Sequence, residues 1–310
     1  MSLLVTGTVG IDTVHAPTGQ AENVLGGSAV YFGAAASLIS PTKVRMVAAA
    51  GEDFPDDHHE TMRSFENLCL EGLEIRKGSE TFRWGGRYHD EDWNQRDTLF
   101  TDLNILEEAP PTPPTEYQDS RLVFLANTHP AIQKDFLDHF PERTLSVADT
   151  MNLWIDIAHE ELLTLFKHID GVVMNDQEAF QLTEEANVLT AGRKILDYGL
   201  TFCVIKKGEH GAMVVHKDGV ASLPAFPTET VIDPTGAGDS FAGGMMGYLS
   251  HVLDEGGNPS SLESVRRGIA RGTVVASYTI ETFSLDRLQQ ISREDVDARF
   301  QAFAHAVRVD

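Results

Sequence analysis

A glycine-rich segment near the C-terminus has the residue types and spacing that best fit chemistry. Residues 231–249 read VIDPTGAGDSFAGGMMGYL. The pattern predicts a short apolar strand ending at Asp233, a glycine turn, and a helix that starts near Asp239. Glycines at 236 and 238 let consecutive backbone N–H groups face one cavity at the positive end of that helix, which suits an anion. The segment therefore predicts an anion hole beside a carboxylate.

An anion hole beside a carboxylate is the arrangement that phosphoryl transfer requires. Charge spreads over the oxygens of the moving group, and the backbone amides of Gly236, Ala237 and Gly238 would stabilise it. Asp239 is placed to accept the proton of an attacking hydroxyl as general base. The structural alternative makes Asp239 a helix cap and the later glycines mere packing positions. A bare G-x-G-D would favour that alternative, whereas the length of this run favours catalysis.

Shorter patterns elsewhere also combine glycines with polar side chains. They are Gly7-x-x-x-x-Asp12, Gly26-Gly27, Gly51-Glu52-Asp53, Asn175-x-x-Glu178 and Lys207-Gly208-x-x-Gly211. Taken alone, each pattern also fits a structural role. Asp12 can be a strand-end turn residue, the double glycine can allow close helix packing, and Asn175 can cap a helix. The combination with the glycine-rich segment favours function.

Together these segments resemble the ribokinase-like (PfkB) family of carbohydrate and nucleoside kinases over nearly the whole chain. Residues 231–249 match its D-T-x-G-A-G-D-x-F signature, with Pro-Thr at 234–235 where the family often has Thr-x. Many relatives carry Asn about four residues after the double glycine, where this chain has Tyr31, and this change bears on the substrate class. Lys206 stands where Thr is common, and Lys206 or Lys207 could add charge toward phosphates.

The resemblance implies a role for each matched residue. Asp12, Gly26 and Gly27 are assigned to the substrate. The nucleotide and its metal are assigned to Asn175, Glu178, Lys207, Gly208, Gly211 and Thr235, with Glu178 holding Mg²⁺ through water and, as in some relatives, Asp233 binding a monovalent cation such as K⁺. Residues 270–281 would contribute to the adenine pocket. The implied cofactors are ATP and Mg²⁺, with K⁺ as an option.

The apolar runs predict an α/β fold that brings these segments together. Alternating strands and helices indicate a mostly parallel sheet covered on both faces. With the resemblance, the expected fold is a ribokinase-like three-layer sandwich. Strands are predicted at 3–5, 44–50, 121–126, 144–148, 171–174, 202–206 and 212–216, and helices at about 57–70, 131–139, 155–167, 176–183, 188–199 and 293–308, the last capped by Ser292.

A second, smaller unit is predicted from a change in composition. The unit consists of two stretches of the chain. The second, residues 72–104, holds aromatic residues among charges and glycines, which favours short strands rather than a helix. In the family such a sheet covers the sugar site as a lid, and its closure excludes water. The predicted units are a β lid at 11–25 and 72–104 and an α/β core at 1–10, 26–71 and 105–310.

Aromatic side chains of the lid have two interpretations. Phe82, Trp84 and Tyr88, with Tyr31 from the core, could stack on a base or on the apolar face of a sugar. They could equally form the lid's own core or a contact between two copies of the chain. The sequence therefore allows a homodimer through the lid.

Composition limits the partners and the compartment. The net charge of −23 argues against nucleic acid, because phosphate backbones need a basic footprint. No apolar run approaches the roughly 18–20 residues that span a bilayer, and the N-terminus has no basic region before its apolar stretch, so a signal peptide is not expected. A membrane partner is likewise not expected. Cys69 and Cys203 are not in a C-x-x-C pair, which indicates reduced thiols in a cytoplasmic protein.

The sequence thus predicts a kinase that moves the γ-phosphoryl group of ATP onto a hydroxyl of a small sugar or sugar-like alcohol. A nucleoside is the alternative acceptor. A non-catalytic ligand-binding relative is the alternative class, and the intact Asp239 and glycine loop argue against it. A dinucleotide-dependent dehydrogenase would place G-x-G-x-x-G after the first strand, where this chain reads GTVGID.

Overall fold

The computed structural model describes residues 2–91, 93 and 95–308. The ends of the predicted core and two positions of the predicted lid, Met1, Asp92, Asn94, Val309 and Asp310, lie outside the described residues. Within the described part of the chain there are thirteen strands and eleven α-helices. The strands are β1 (Leu3–Thr6), β2 (Gly10–Ala16), β3 (Gly19–Gly26), β4 (Val44–Gly51), β5 (Leu68–Arg76), β6 (Phe82–Tyr88), β7 (Arg96–Asp102), β8 (Leu122–Leu125), β9 (Leu145–Asp149), β10 (Gly171–Asn175), β11 (Phe202–Lys206), β12 (Ala212–His216) and β13 (Gly219–Leu223). The helices are α1 (Ser28–Ser37), α2 (Asp56–Arg63), α3 (Pro130–Leu137), α4 (Asn152–Ile157), α5 (His159–Phe166), α6 (Asp176–Thr183), α7 (Val188–Leu196), α8 (Ala237–Asp254), α9 (Leu262–Thr279), α10 (Asp286–Gln289) and α11 (Arg293–Ala306).

Nine strands form one large sheet in the order β13-β12-β11-β10-β9-β8-β1-β4-β5. The seven strands from β11 to β5 are parallel, and β12 and β13 add to the β11 edge as antiparallel neighbours. Helical crossovers cover both faces, so most strand positions are buried and apolar. One core lies under α1, α8 and α9, and the other lies under α3, α5, α6 and α7. The predicted mostly parallel α/β sheet is confirmed.

A separate four-stranded sheet has the order β3-β2-β6-β7. Its strands come from the two stretches that the sequence assigned to a lid. The predicted boundary at 72 is wrong, because residues 72–76 continue β5 of the large sheet and pair with β4. Gly72 allows this pairing, since a Cβ there would overlap the carbonyl oxygen of Met46. The small sheet therefore starts at β6 in this part of the chain.

Three other predicted boundaries change in the structure. The helix expected over 57–70 ends at Arg63, and β5 follows. The run 155–167 contains two helices, because Ala158 has non-helical backbone angles of φ −136° and ψ 37°. The strand expected to end at Asp233 is an extended segment whose amides at 232 and 233 donate to the carbonyl oxygen of Ile280. Ser292 caps α11 as predicted.

Glycines in α8 let this helix pack closely against α1 and α9. This packing holds the start of α8 in place. A Cβ at Gly243 would overlap the carbonyl oxygen of Phe32 in α1, and a Cβ at Gly244 would lie 2.9 Å from Gly272 Cα in α9. The glycine-rich turn before α8 is thereby held against the large sheet. In the described part of the chain, no helix has the length and apolar character needed to cross a bilayer.

Candidate active site

A cleft of about 1360 Å³ lies at the carboxyl ends of the large-sheet strands and extends to the small sheet. In open parallel sheets this edge is the usual place for ligands. Asp149, Asn175 and Lys206 end three adjacent strands, β9, β10 and β11, and their residues line the cleft. The topology thus brings together residues that are far apart in the sequence.

The glycine-rich turn forms one wall of this cleft at the N-terminus of α8. Gly236 is the N-cap, with φ 73°, and no side chain caps the first turn. The ring of Tyr31 packs against it, so a Cβ at Gly236 would overlap that ring. Gly236, Ala237 and Gly238 all line the cleft. The positive end of an 18-residue helix therefore faces the cleft, as an anion site requires.

Asp239 is the third residue of α8 and lines the same cleft. Burial, together with the negative charge of Asp149, raises the pKa of Asp239 to about 7, against the opposing charge of Lys206. A carboxylate whose pKa lies near neutrality is well matched to accept a proton from a hydroxyl. The position and the pKa both suit a general base.

Lys206 lies beneath the glycine turn. Its Nζ is 3.9 Å from Asp149 Oδ2, and a Cβ at Gly238 would lie 2.8 Å from the same nitrogen. Burial alone would lower the pKa of Lys206, but three surrounding carboxylates, led by that of Asp149, outweigh burial and raise it. Lys206 therefore stays charged and adds positive potential where the anion would sit.

Asn175 and Glu178 form a capping box at the start of α6. The amide of Glu178 donates to Asn175 Oδ1 at 2.7 Å, and the amide of Asn175 donates to Glu178 Oε2 at 2.7 Å. Burial raises the pKa of Glu178 to about 7, against the charge of Lys206. Both residues line the cleft, and a carboxylate beside bound phosphates is the donor that Mg²⁺ prefers. The described residues contain no group of three acidic, His or Cys side chains able to hold a metal alone.

Asp233 precedes the turn and is almost fully buried. Its Oδ1 accepts the amide of Thr235 at 2.8 Å, while its Oδ2 has no hydrogen-bond partner among the described residues. Burial raises the pKa of Asp233. An orphaned buried carboxylate oxygen fits a cation, although Asp233 does not itself line the cleft.

Asp12 faces the cleft from β2, opposite the glycine turn. It is 4% exposed, and its Oδ1 has no hydrogen-bond partner among the described residues. Burial and the charges of Asp233 and Asp239 raise the pKa of Asp12 to about 7. Gly26 leaves room for this carboxylate, since a Cβ there would overlap it, and Gly27, with φ 105°, passes close to the carbonyl of Thr8. This side of the cleft offers an open acceptor for a ligand hydroxyl.

The small sheet contacts the glycine turn directly. Tyr88 Oη lies 3.1 Å from Thr235 Oγ1, and the guanidinium carbon of Arg96 lies 5.3 Å from the centre of the Trp84 ring. Phe82, Trp84, Tyr88 and Arg96 all line the cleft. The small sheet therefore forms a roof with aromatic side chains over the space between Asp12 and Asp239.

The other end of the cleft, beside α9, has a mostly apolar lining. Ala276, Ser277 and Ile280, within or just after α9, line it together with Phe226. Gly208 and Gly211, with φ 53° and 85°, turn the chain between β11 and β12 at this end. Lys207, in contrast, is not among the lining residues. The lysine that enters the site is Lys206, so the prediction that Lys207 faces the nucleotide finds no support in the geometry.

The pattern of the pfkB family of carbohydrate kinases matches residues 8–287. The chain belongs to the pfkB family of carbohydrate kinases. Its ribokinase-like fold, predicted from the glycine-rich segment, is confirmed by solved structures of ribokinases and nucleoside kinases.

Individual pfkB-family relatives cover almost all of the chain. The cytidine kinase of Thermococcus kodakarensis is 29% identical over 279 residues, which are 89% of this chain and 96% of that protein. The nucleoside kinase of Burkholderia thailandensis in complex with inosine has a TM-score of 0.75 at 19% identity, covering 97% of this chain and 98% of that one. The ribokinase of Cryptococcus neoformans var. grubii serotype A in complex with ADP has a TM-score of 0.74 at 19% identity, covering 96% and 99%.

Within this pfkB-family site, two residues were not predicted from the sequence. Asp149 directly follows the predicted strand 144–148, and a carboxylate at the end of a parallel strand is a signal that could have been used. Arg96 gave no comparable signal, because it follows a polar loop and enters the site only through the pairing of β6 with β7. Seven of the predicted site residues line one cleft, and their roles stay predictions: Asp12, Asn175, Glu178, Gly236, Ala237, Gly238 and Asp239.

Proposed function

We propose that this pfkB-family kinase transfers the γ-phosphoryl group of ATP to a hydroxyl of a nucleoside. The observation on which the transfer depends is Asp239, a half-buried carboxylate in the first turn of α8 beside an uncapped glycine turn. The turn supplies amides for the phosphoryl oxygens, and Asp239 supplies the proton acceptor.

The proposed transfer divides the cleft into a part for the acceptor and a part for ATP. The acceptor lies between Asp12 and the small sheet, which acts as a lid that excludes water. ATP lies toward α9, with its phosphates at Gly236 and Gly238 and its charge countered by Lys206. Asp239 takes the hydroxyl proton as the acceptor oxygen meets the γ-phosphorus in line. Mg²⁺ beside Asn175 and Glu178 would neutralise charge on the phosphates.

A nucleoside is preferred over a free sugar for two reasons. The acceptor end of the cleft has an aromatic roof that includes Trp84 and Tyr88, and Trp154, held by a 2.8 Å hydrogen bond to Asn127 Oδ1, lines the cleft further out. Such rings stack well on a base. The cytidine kinase that resembles nearly the whole chain supports the same class. A sugar or sugar-like alcohol, favoured from the sequence, remains the second candidate because Asp12 would bind its hydroxyls equally well.

An ADP-release screen tests the proposal directly. Wild-type protein with Mg·ATP is given a panel of ribonucleosides, deoxyribonucleosides, hexoses, pentoses and inositol, and the Asp239→Asn variant serves as the blank. We expect acceptor-dependent ADP release that is strongest with a ribonucleoside. Release with sugars alone would overturn the nucleoside assignment, and no acceptor-dependent release would overturn the kinase reaction for this set of acceptors.

A Gly26→Ala variant separates acceptor binding from ATP binding. The added Cβ would overlap the carboxylate of Asp12 and force it from its position. Loss of one buried hydrogen bond between the Asp12 carboxylate and a substrate hydroxyl costs about 1–3 kcal/mol. The KM for the acceptor substrate should therefore rise by at least about fivefold. The KM for ATP should stay within about twofold. Initial rates at varied acceptor and ATP measure both, and an unchanged acceptor KM would contradict the role of Asp12.

Four further properties stay predictions. They are Mg²⁺ near Glu178, a monovalent cation at Asp233, contact between two copies through the small sheet, and a cytoplasmic location. Dependence of the rate on added K⁺ tests the second. The third is tested by the mass of the protein in solution.

A further inference from the structure

The charge balance of the cleft is unfavourable for an anionic substrate. Among the described residues that line it, seven are Asp or Glu, and only two, Lys206 and Arg96, are Lys or Arg. ATP brings several more negative charges. Each of the two basic side chains therefore has a large influence on how phosphates are held.

The two cations differ in where they are fixed. Lys206 belongs to the floor, because it ends β11 of the large sheet and lies 3.9 Å from Asp149. Arg96 belongs to the roof, because it begins β7 of the small sheet in register with Tyr88 of β6. The space for a phosphate lies between a floor and a roof that each contribute one positive charge.

Contacts within the small sheet direct Arg96 into this space. Its guanidinium lies over the Trp84 ring at 5.3 Å, and its side chain hydrogen-bonds to that of Tyr88. Tyr88 in turn lies 3.1 Å from Thr235 Oγ1 in the glycine turn. A chain of contacts therefore joins Arg96 to the residue just before Gly236.

The positive charge of Arg96 acts on carboxylates at both the acceptor side and the nucleotide side of the cleft. Its positive charge counters the rise in the pKa of Asp12 on the acceptor side and of Glu178 on the nucleotide side. It has the same effect on Asp239 between them. Arg96 lines the same cleft as these three carboxylates, so its charge acts on both sides of the path that the phosphoryl group would take.

We propose that Arg96 binds the transferring phosphoryl group from the small sheet and completes the anion hole opposite the amides of residues 236–239. The inference rests on the proposed kinase function. In the step, the bond from the γ-phosphorus to the bridging oxygen of ATP breaks and its electron pair leaves with ADP, while the acceptor oxygen bonds to phosphorus and its proton passes to Asp239. Arg96 donates hydrogen bonds to the equatorial oxygens throughout and is not consumed. A guanidinium suits this task because its planar fork can bind two oxygens at once.

The position of Arg96 on the small sheet has a functional consequence. A cation on the floor would stabilise phosphoryl transfer to water as well as to the acceptor. Arg96 reaches the phosphate only from the small sheet, so transition-state stabilisation depends on that sheet covering the cleft. Loss of Arg96 should therefore lower the rate of transfer far more than it weakens ATP binding.

The kinetic test compares Arg96→Gln with Arg87→Gln. Arg87 lies on β6 of the same sheet, is exposed, and does not line the cleft, so it is a matched control. Arginines that stabilise phosphoryl transfer contribute about 10³–10⁵-fold to kcat in GTPases. We expect Arg96→Gln to lower kcat by at least about 10²-fold with the KM for ATP within about threefold. Arg96→Lys should recover part of the loss, and Arg87→Gln should match wild type.

A binding test does not depend on the acceptor. Titration calorimetry measures ADP and Mg²⁺ binding with and without aluminium fluoride, which takes the place of the phosphoryl group. Wild type and Arg87→Gln should bind ADP more tightly with fluoride present, and Arg96→Gln should lose most of that gain while keeping its affinity for ADP alone. Thermal melting checks that all variants are folded.

The two experiments distinguish the possible failures. Turnover in Arg96→Gln equal to wild type, or an undiminished fluoride-dependent gain in that variant, overturns the role of Arg96. An absent gain in wild type also overturns it. Wild-type protein that shows the fluoride-dependent gain but no acceptor-dependent ADP release keeps the Arg96 site and overturns the proposed acceptor.

Discussion

Replacing Asp239 by Asn is expected to lower kcat by on the order of 10²–10⁴-fold, the usual contribution of a general base. Asn has nearly the same shape, so α8 should begin unchanged at Ala237. The substitution also removes a carboxylate whose buried position raises its pKa to about 7, so the melting temperature at pH 8 should not fall. The KM for ATP should change little, because backbone amides of the turn hold the phosphates. ADP release, ATP titration and thermal melting measure these three quantities.

The matched control for this prediction is Asp254→Asn. Asp254 ends the same helix and does not line the cleft, so its replacement should leave kcat within about twofold of wild type. Turnover near the wild-type level in Asp239→Asn would contradict the general-base role. Loss of folding in that variant would show that Asp239 is mainly structural, as the alternative interpretation of the sequence held.

The glycine turn before α8 could be predicted from the sequence because the residues that define it lie next to one another in the chain. Gly236 needs a positive φ, Gly238 needs room above Lys206, and Asp239 needs the third position of a helix, all within four residues. Such requirements restrict residue types at fixed spacing, so they remain visible without a structure. The capping box of Asn175 and Glu178 is local in the same way.

The electrostatic partners of Asp239 could not be predicted in this manner. Asp149 and Lys206 are more than 50 residues apart and meet because β9, β10 and β11 are adjacent parallel strands. A strand order of this kind depends on which helices pack on which face, not on any single residue. Arg96 is still less visible, since its place depends on the register of a sheet that the sequence locates only approximately.

Element boundaries failed for a related reason. Ala158 is a good helix former, yet its backbone leaves the helical region and separates α4 from α5. Leu68–Arg76 was assigned partly to a helix and partly to the lid, although it forms the edge strand β5. Pairing with β4 decides the outcome for β5, and it outweighs local preference because a buried backbone must find hydrogen-bond partners.

The carboxylates of the cleft suggest that the site sacrifices stability for function. The folded-state pKa values of Asp12, Glu178 and Asp239 are raised to about 7. A raised carboxyl pKa means that the folded protein binds protons more tightly than the unfolded chain, so these groups lose stabilisation as the pH rises from about 4 to 7. Bound cations would relieve the repulsion. The cluster is therefore arranged for proton acceptance and for cationic partners rather than for stability.

The charges around Asp239 also predict how the rate depends on pH. Only the ionised carboxylate can accept a proton, so kcat/KM should rise with pH through the pKa of Asp239, which is about 7 in the free protein. Lys206 lowers that pKa, and Asp149 raises it. Removing either neighbour should move the acidic limb of the profile, and the two movements should have opposite signs.

Lys206→Met should move the acidic limb to higher pH and lower kcat/KM at its optimum by about 10²-fold, because the floor of the anion site loses its charge. Asp149→Asn should move the limb to lower pH. At pH 6 this variant should therefore keep a severalfold larger fraction of its plateau kcat/KM than wild type keeps of its own. Profiles from pH 5 to 9 for the three proteins measure both effects, with circular dichroism to confirm folding at each pH. Asp218→Asn, beyond β12 and outside the lining of the cleft, is the control and should leave the profile unchanged. Limbs that move in the same direction in both variants, or stay in place, would mean that Asp239 is not the group whose ionisation limits the reaction.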